Sequence, residues 1–104
     1  MRGPADDVAA IDRLIHEPGR LAIMTVLSSC RKADFLFLQN VTGLTKGNLS
    51  SHLSKLEEAG LVEITKQFLG KKPNTSASLT KLGRDRIEAH WQQLDRLRSY
   101  VPDT

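Results

Sequence analysis

Along residues 45–60, hydrophobic and polar positions recur with the period of an α-helix, in the order T-K-G-N-L-S-S-H-L-S-K-L-E-E-A-G. Leu49, Leu53 and Leu56 are separated by steps of four and three, which places their side chains on one side of the helix. The other positions hold mainly short polar side chains and lysines, with no acid before Glu57. The pattern predicts a helix over residues 45–59 whose leucines are buried and whose polar side faces outward.

The polar side of this helix is chemically suited to DNA. Hydroxyl and amide groups can pair with base edges, whereas long acidic side chains would repel phosphates. Thr45 can cap the first turn, where unpaired backbone N–H groups attract anions. The alternative is an ordinary amphipathic helix that turns its polar side only to water. The neighbouring elements decide between these two interpretations.

Before this helix, the sequence predicts an arm and then further helices. Residues 1–7 lack periodicity and are predicted to form a flexible N-terminal arm. A short helix follows, and its apolar side consists of Val8, Ile11, Leu14 and Ile15. Pro18 suits the first turn of a second helix that is apolar on more than one side, as expected at the centre of a core.

A third helix is predicted to begin after Asp34, which can cap its first turn. Its apolar positions are Phe35, Leu38 and Val41. The run F-L-F-L could also form a short strand, because periodicity does not separate the two structures over so few residues. Helix is favoured because residues 42–44, T-G-L, match the short turn of a helix-turn-helix. Leu36 or Phe37 is then left partly exposed.

After the leucine-bearing helix, the sequence predicts a β-hairpin. Residues 61–68 largely alternate apolar and polar side chains, residues 69–74 supply Gly, Pro and Asn for a turn, and residues 75–79 return as a second strand. Lys71 and Lys72 make the tip of the hairpin cationic. These lysines could simply keep the turn solvated. Directly after a helix-turn-helix, however, a basic hairpin is placed to contact DNA phosphates or the minor groove, and that interpretation is favoured.

A long helix is predicted from Thr80 to about Tyr100, with Thr80 as its cap. The apolar stripe of this helix consists of Leu82, Ile87, Trp91, Leu94, Leu97 and Val101. It is longer than so small a domain needs, and a helix that outruns its domain usually packs against a partner. The sequence therefore predicts a homodimer. The predicted dimer interface consists of Val8, Ile11, Leu14, Ile15, Ile87, Trp91, Leu94 and Leu97. The alternative is that Trp91 and its neighbours complete the core of a single chain.

Composition agrees with one small globular domain. The chain has 104 residues, of which 39% are hydrophobic and 26% charged, and residues 8–101 are expected to form the domain. No apolar run approaches the length of a membrane span and no signal-peptide pattern opens the chain, so a cytoplasmic location is predicted. The formal net charge of +3 permits a nucleic-acid partner without requiring one. Cys30, the single cysteine, is interpreted as a buried thiol, and a redox role for it is left open.

Four separated motifs and the order of elements resemble the winged helix-turn-helix regulators of the MarR and ArsR type, in particular their small single-domain members. The motifs are L-T-K-G-N-L-S-S-H-L at residues 44–53, L-E-E-A-G-L-V at residues 56–62, G-K-K-P-N-T at residues 70–75 and L-T-K-L-G-R at residues 79–84. The resemblance implies a mainly α fold with a small β-hairpin, in the order α-α-α-α-β-β-α. It also implies that the fold dimerises through its N- and C-terminal helices.

The same resemblance implies a transcriptional regulator that binds a pseudo-palindromic operator in double-stranded DNA as a homodimer. The recognition helix, residues 45–59, would lie in the major groove, and the wing, residues 68–75, on the backbone or minor groove. The residues nominated as DNA contacts are Thr45, Lys46, Asn48, Ser50, Ser51, Lys55, Lys71, Lys72 and Asn74. His52 lies at the edge of the leucine stripe and is interpreted as a half-packed polar residue, not a base contact.

Other classes of function are less well supported by the sequence. Metal-sensing members of the group carry cysteines, or acid and histidine ligands, whereas Asp85, Glu88 and His90 lack the spacing of an evident chelate. No metal or cofactor is therefore expected. No catalytic constellation is visible, so the chain is not expected to be an enzyme. The main alternative is a winged helix that docks a protein, through the same surface or through Phe37, and a small-molecule effector is left open.

Overall fold

The computed structural model describes residues 3–9 and 11–99, in which helices pack around a small antiparallel sheet. In chain order, the elements are α1 (Pro4–Ala9), α2 (Pro18–Ser28), β1 (Ala33–Asp34), α3 (Phe35–Thr42), α4 (Lys46–Glu58), β2 (Val62–Leu69), β3 (Lys72–Leu79) and α5 (Lys81–Arg98). This order confirms the predicted mainly α fold with a β-hairpin after the fourth helix. None of these helices is both long enough and apolar enough to cross a membrane.

Helices α2 to α5 each begin at a side chain that accepts a hydrogen bond from the backbone N–H three residues later, at 2.8–3.1 Å. The capping residues are Glu17, Asp34, Thr45 and Thr80. Such caps satisfy N–H groups that have no partner within the helix. Gly43, with a φ of 71°, takes the left-handed conformation that ends α3. The predicted starts of α3, α4 and α5 are thus confirmed.

The sheet has the strand order β1-β3-β2 and is antiparallel throughout. The predicted hairpin is confirmed, but its turn is tighter than predicted. Leu69 pairs directly with Lys72, so the loop contains two residues instead of the predicted residues 69–74. Gly70, with a φ of 67°, permits so short a turn. Strand β1, which pairs with the base of β3, is too short to leave a pattern in the sequence.

The core lies where α2, α3, α4 and α5 meet the base of the hairpin. All three leucines of α4 are buried in it, which confirms the predicted orientation of that helix. The buried hydrophobic residues of the described chain are Ile15, Ile23, Met24, Leu27, Ala33, Leu38, Leu49, Leu53, Leu56, Leu61, Val62, Ala77 and Ile87. Because the core holds the inner side of α4, the polar residues of that helix must face outward.

Helix α5 is fixed against the start of β2 by a close backbone contact. The Thr80 N–H donates to the Leu61 carbonyl at 3.1 Å, and the Thr80 hydroxyl donates to the Gly60 carbonyl at 2.6 Å. A Cβ on Gly83 would overlap the Leu61 carbonyl oxygen and lie 2.9 Å from its carbonyl carbon. Only glycine fits at this position, and the contact sets where the hairpin leaves the body of the domain.

The N-terminal part of the prediction is wrong in two respects. Pro4–Ala9 form α1, so residues 4–7 do not belong to a flexible arm. Helix α1 ends at Ala9, and residues 13–15 form a turn where a helix was predicted. The reason is local, because the Asp12 carboxylate accepts from the N–H groups two and three residues later, at 3.1 and 3.4 Å. The domain boundary at residue 8 stays a prediction.

Two residues that were assigned to apolar faces are not in the core. Val41 and Leu82 are 51% and 48% exposed. Leu38 is the one fully buried residue of the short helix α3, whose last turn passes beyond the core. On α5, the buried positions include Gly83 and His90 instead.

The residues nominated for a dimer interface differ in how much surface they expose. Ile15 and Ile87 are completely buried in the core of the chain itself, so they present no surface to a second copy and leave the predicted interface. Leu14 and Trp91 pack against the core and remain partly exposed. The other nominated residues with partly exposed side chains are Ile11, Leu94 and Leu97. The side chain of Val8 lies outside the described residues.

Candidate nucleic-acid interface

Helix α4 presents its nominated residues in three directions. At about 100° per residue, Lys46 and Ser50 lie on the flank that faces the hairpin, and both line the space between α4 and the sheet. Asn48 and Lys55 lie on the opposite flank, and Ser51 lies between the two flanks on the outer side. All five side chains are exposed. They are available to a ligand that surrounds the outer half of the helix.

Thr45 has a different place in the structure. Its hydroxyl oxygen accepts the Asn48 N–H at 3.1 Å as the cap of α4. No acid lies in the first turn, so the positive end of the helix is not neutralised there. Thr45 therefore positions the start of α4, and its hydroxyl hydrogen remains able to donate to an anion.

An open groove, here called the wing groove, runs between α4 and the hairpin. Its inner part has a volume of about 390 Å³, and its outer part, of about 380 Å³, extends along β3. The residues shared by both parts are Phe35, Ser50, Lys66 and Thr75. Leu53 and Ile64 form the apolar floor of the inner part, and Pro73 and Asn74 border the outer part.

The hairpin side of the wing groove is strongly cationic. Residues 64–84 contain no acidic residue. The cations of the hairpin part of this segment are Lys66, Lys71 and Lys72, whereas Lys81 and Arg84 lie beyond it on α5. The acids that line the groove within the described residues are Glu57 on α4 and Asp34 at the start of α3. An anionic backbone that passes over the hairpin beyond Glu63 therefore meets three cations and no acid.

Of the nominated wing residues, Lys71 and Lys72 are exposed at the hairpin tip, and Asn74 is half-buried beside the groove. Lys66 and Thr75, which pair across the hairpin, were not nominated, although both line the groove. The signal was present in the sequence, because alternation along β2 places Lys66 on the same face as Ile64. Alternation alone did not show that this face of β2 points toward α4.

His52 joins α4 to the start of α2. Its Nδ1 lies 3.2 Å from the Arg20 guanidinium, and its Nε2 lies 3.5 Å from the Glu17 carboxylate. A Cβ on Gly19 would lie 2.6 Å from Nε2, so the imidazole packs directly on the α2 backbone. The Arg20 backbone N–H, with smaller effects of the nearby His52 and Arg20 charges, lowers the pKa of Glu17. This placement agrees with the interpretation of His52 as a packed polar residue.

A second group of polar residues lies away from the wing groove, between α5 and the turn after α1. His16 Nδ1 is 3.2 Å from His90 Nε2, and Arg86 donates two hydrogen bonds to Asp12 Oδ2 at 2.9 and 2.6 Å. His90 is completely buried, and this burial, followed by the effect of His16, lowers its pKa. No group of three metal-ligating side chains occurs among residues 3–9 and 11–99. The arrangement joins the N-terminal segment to α5.

The chain is similar to known proteins in sequence and in fold. The family profile for the winged helix DNA-binding domain matches residues 20–98. The uncharacterized protein MJ0432 of Methanocaldococcus jannaschii is 37% identical over 72 residues, which are 69% of this chain and 78% of that protein. The transcriptional regulator homologue protein from Pyrococcus horikoshii OT3 is 31% identical with a TM-score of 0.82, over 92% of this chain and 94% of its own.

A more distant solved structure shares the fold. The MarR-family transcriptional regulator from Silicibacter pomeroyi has a TM-score of 0.69 at 18% identity, over 97% of this chain and 68% of its own. The predicted MarR-type winged-helix fold is confirmed by these likenesses.

Proposed function

Because this chain belongs to the winged helix DNA-binding domain family, we propose that it is a sequence-specific transcriptional regulator that binds double-stranded DNA. The observation that carries the proposal is the wing groove, where the polar flank of α4 faces a hairpin whose residues 64–79 hold three cations and no acid. Duplex DNA is the ligand that matches a protruding polar helix beside a cationic hairpin. The chain acts by binding and not by catalysis.

In this proposal α4 lies in the major groove, with its exposed side chains divided between bases and phosphates. Asn48 and Ser51 read base edges, because an amide and a hydroxyl can both donate and accept hydrogen bonds. Lys46 and Lys55, on opposite flanks of the helix, contact the phosphates of the two strands that border the groove. Lys72 and its neighbours on the wing contact the backbone or the adjacent minor groove.

We further propose that the regulator is a homodimer on a pseudo-palindromic operator. The chain measures 58 × 26 × 21 Å and has a radius of gyration of 15.9 Å, against about 13 Å for a compact domain of this size. Helix α5 leaves Leu94 and Leu97 partly exposed toward its C-terminal end. A second copy would cover this apolar surface, and its recognition helix would meet a half-site about 34 Å away or a multiple of that distance.

The test is a binding titration of the purified protein against a fluorescent DNA fragment from upstream of its own gene and against an unrelated fragment. Both titrations are repeated at several salt concentrations, because each phosphate contact lowers log K by about 0.9 per unit of log salt. We expect tighter binding to the upstream fragment at moderate salt. Absence of binding to either fragment at low salt, and to a random-sequence pool, would contradict the proposal.

Single variants separate base reading from phosphate binding. Lys71→Ala is expected to weaken binding to all sequences alike and to reduce the salt slope by about one, whereas Asn48→Ala is expected to change which sequence is preferred. Arg98→Ala is the matched control, because it removes one exposed cation at the far end of α5. If the control weakened binding as much as Lys71→Ala, the wing would have no special part in DNA binding.

The protein-docking alternative has one specific observation in its favour. Leu36, Phe37 and Val41 of α3 are 70%, 49% and 51% exposed, although they are large apolar side chains. Such a patch is typical of a protein contact. Replacing Phe37 by Ser separates the alternatives, because unchanged DNA binding would place this patch outside the DNA interface.

A further inference from the structure

The tip of the wing is apolar on the side that faces α4. Phe68 pairs with Pro73 across the hairpin, and the next pair on the same face toward the core is Lys66 with Thr75. Because paired residues of an antiparallel hairpin project to the same side, Phe68 and Pro73 extend the face that lines the wing groove. Phe68 is 72% exposed, although it is an aromatic side chain at the end of a strand.

Exposure of Phe68 does not serve the stability of the domain. It lies beyond the core, and its partner Pro73 has no second strand beside it, because β1 pairs only with Ser76 and Ala77. A two-residue turn needs glycine or polar residues, not a neighbouring aromatic ring. An exposed apolar tip therefore suggests a contact with something outside the chain.

The surroundings of the tip indicate the chemistry of that contact. Lys66, Lys71 and Lys72 lie within four residues of Phe68, and no acid occurs between Glu63 and Asp85. A partner that suits both features is anionic at its surface and apolar where a ring can enter. The minor groove has this combination, with phosphates along its edges and stacked bases and sugars inside.

The reach of the hairpin is also suitable. Phe68 is four residues beyond Ile64, which lies at the groove floor, and four strand residues span about 13 Å. A minor groove lies half a helical turn, about 17 Å, from the centre of the neighbouring major groove. A duplex that holds α4 in its major groove thus brings a minor groove to the hairpin tip.

We propose that Phe68, supported by Pro73, enters the minor groove as an apolar wedge that partly unstacks a base step and bends the duplex. The inference rests on the proposed function and adds to it a specific deformation of the DNA. Such wedges combine loss of base stacking with a bend that brings more phosphates to the protein. Flexible pyrimidine–purine steps are the easiest to open, so the wedge also makes the operator selective at positions without base contacts.

The experiment uses the full chain and the duplex that it retains most tightly from a random-sequence pool. Donor and acceptor fluorophores at the two ends of that duplex report its bend through energy transfer. We expect the wild-type protein to raise the transfer efficiency. Phe68→Ser should abolish the rise, weaken binding about tenfold and lower the salt slope, because an unbent duplex brings fewer phosphates to the protein. Leu69→Ser is the matched control, because it removes the exposed apolar neighbour on the opposite face of the hairpin.

The outcomes separate the two proposals. If no duplex is retained from the pool, the proposed function and the wedge both fail. If DNA is retained and Phe68→Ser binds and bends it like the wild type, only the wedge is overturned. If the variant keeps its DNA binding but loses binding to vesicles of phosphatidylserine and phosphatidylcholine, the tip is a membrane contact and the wedge is overturned. If the variant keeps its DNA binding but the free protein sediments differently, the tip is a self-association contact and the wedge is overturned as well.

Discussion

Replacement of Gly83 by Ala tests whether the contact between α5 and the start of β2 is as tight as the structure indicates. The added methyl group would overlap the Leu61 carbonyl oxygen and lie 2.9 Å from the carbonyl carbon. These are backbone atoms of a buried residue, so they cannot swing aside as a flexible side chain can. Relief requires α5 to move away from β2, which disrupts packing around Leu61 and Ile87. We expect a loss of about 3 kcal/mol in the free energy of unfolding.

The assay is urea unfolding followed by circular dichroism, with Gly47→Ala as the matched control. Gly47 also lies in the first turn of a helix, but its Cβ would meet nothing within 4 Å. Alanine there should raise stability by up to about 0.5–1 kcal/mol through helix propensity alone. The two glycines should therefore respond with opposite signs. If Gly83→Ala were as stable as the wild type, the close contact with Leu61 would not exist in solution.

Three further predictions concern the polar contacts. The free energy of unfolding should fall as the pH is lowered from about 7.5 to 5.5. Burial lowers the pKa of His90 below its ordinary value of 6.5, so the unfolded chain takes up the proton first and is stabilised. Equal urea midpoints at both pH values would contradict this prediction. Asp12→Asn should lower the free energy of unfolding by about 1–2 kcal/mol, because it weakens two charge-assisted hydrogen bonds from Arg86. An unchanged thermal midpoint would show that this ion pair does not contribute to stability. Lys66→Ala should weaken binding to all DNA sequences and lower the salt slope by about 0.9. Gln67→Ala, on the other face of β2, is the control and should change neither the affinity nor the salt slope. If Lys66→Ala bound DNA with full affinity, Lys66 would not belong to the interface.

Much of the candidate interface could be predicted from the sequence, because its main features are local. The spacing of Leu49, Leu53 and Leu56 specified which side of α4 is buried, and thus which side is free. Thr45 and Thr80 marked helix starts through hydrogen bonds that span three residues. The turn residues between two strand-like segments predicted the hairpin, although its loop is shorter than expected.

Other features depended on contacts between residues far apart in the chain. Val41 and Leu82 matched an apolar period, yet the last turn of α3 passes beyond the core, and at the start of α5 the buried position is held by Gly83 and not by Leu82. Periodicity states which residues of a helix share a side, but not whether a neighbour covers that side. For the same reason, the sequence did not show that Ile87 is buried in the core of its own chain. Ile87 was therefore predicted to lie in a dimer interface.

Apart from α1 and β1, the sequence by itself determined the identity of the elements, the starts of the capped helices and the charge of the hairpin, since these follow from interactions within a few residues. Only the tertiary structure decided that His16 meets His90 and that Lys66 lines a groove with Ser50. It also decided that Phe68 extends the face toward α4. Such contacts join residues 16 or more positions apart, or depend on which face of the hairpin points toward α4. Their positions are set by the packing of the core and not by any local pattern.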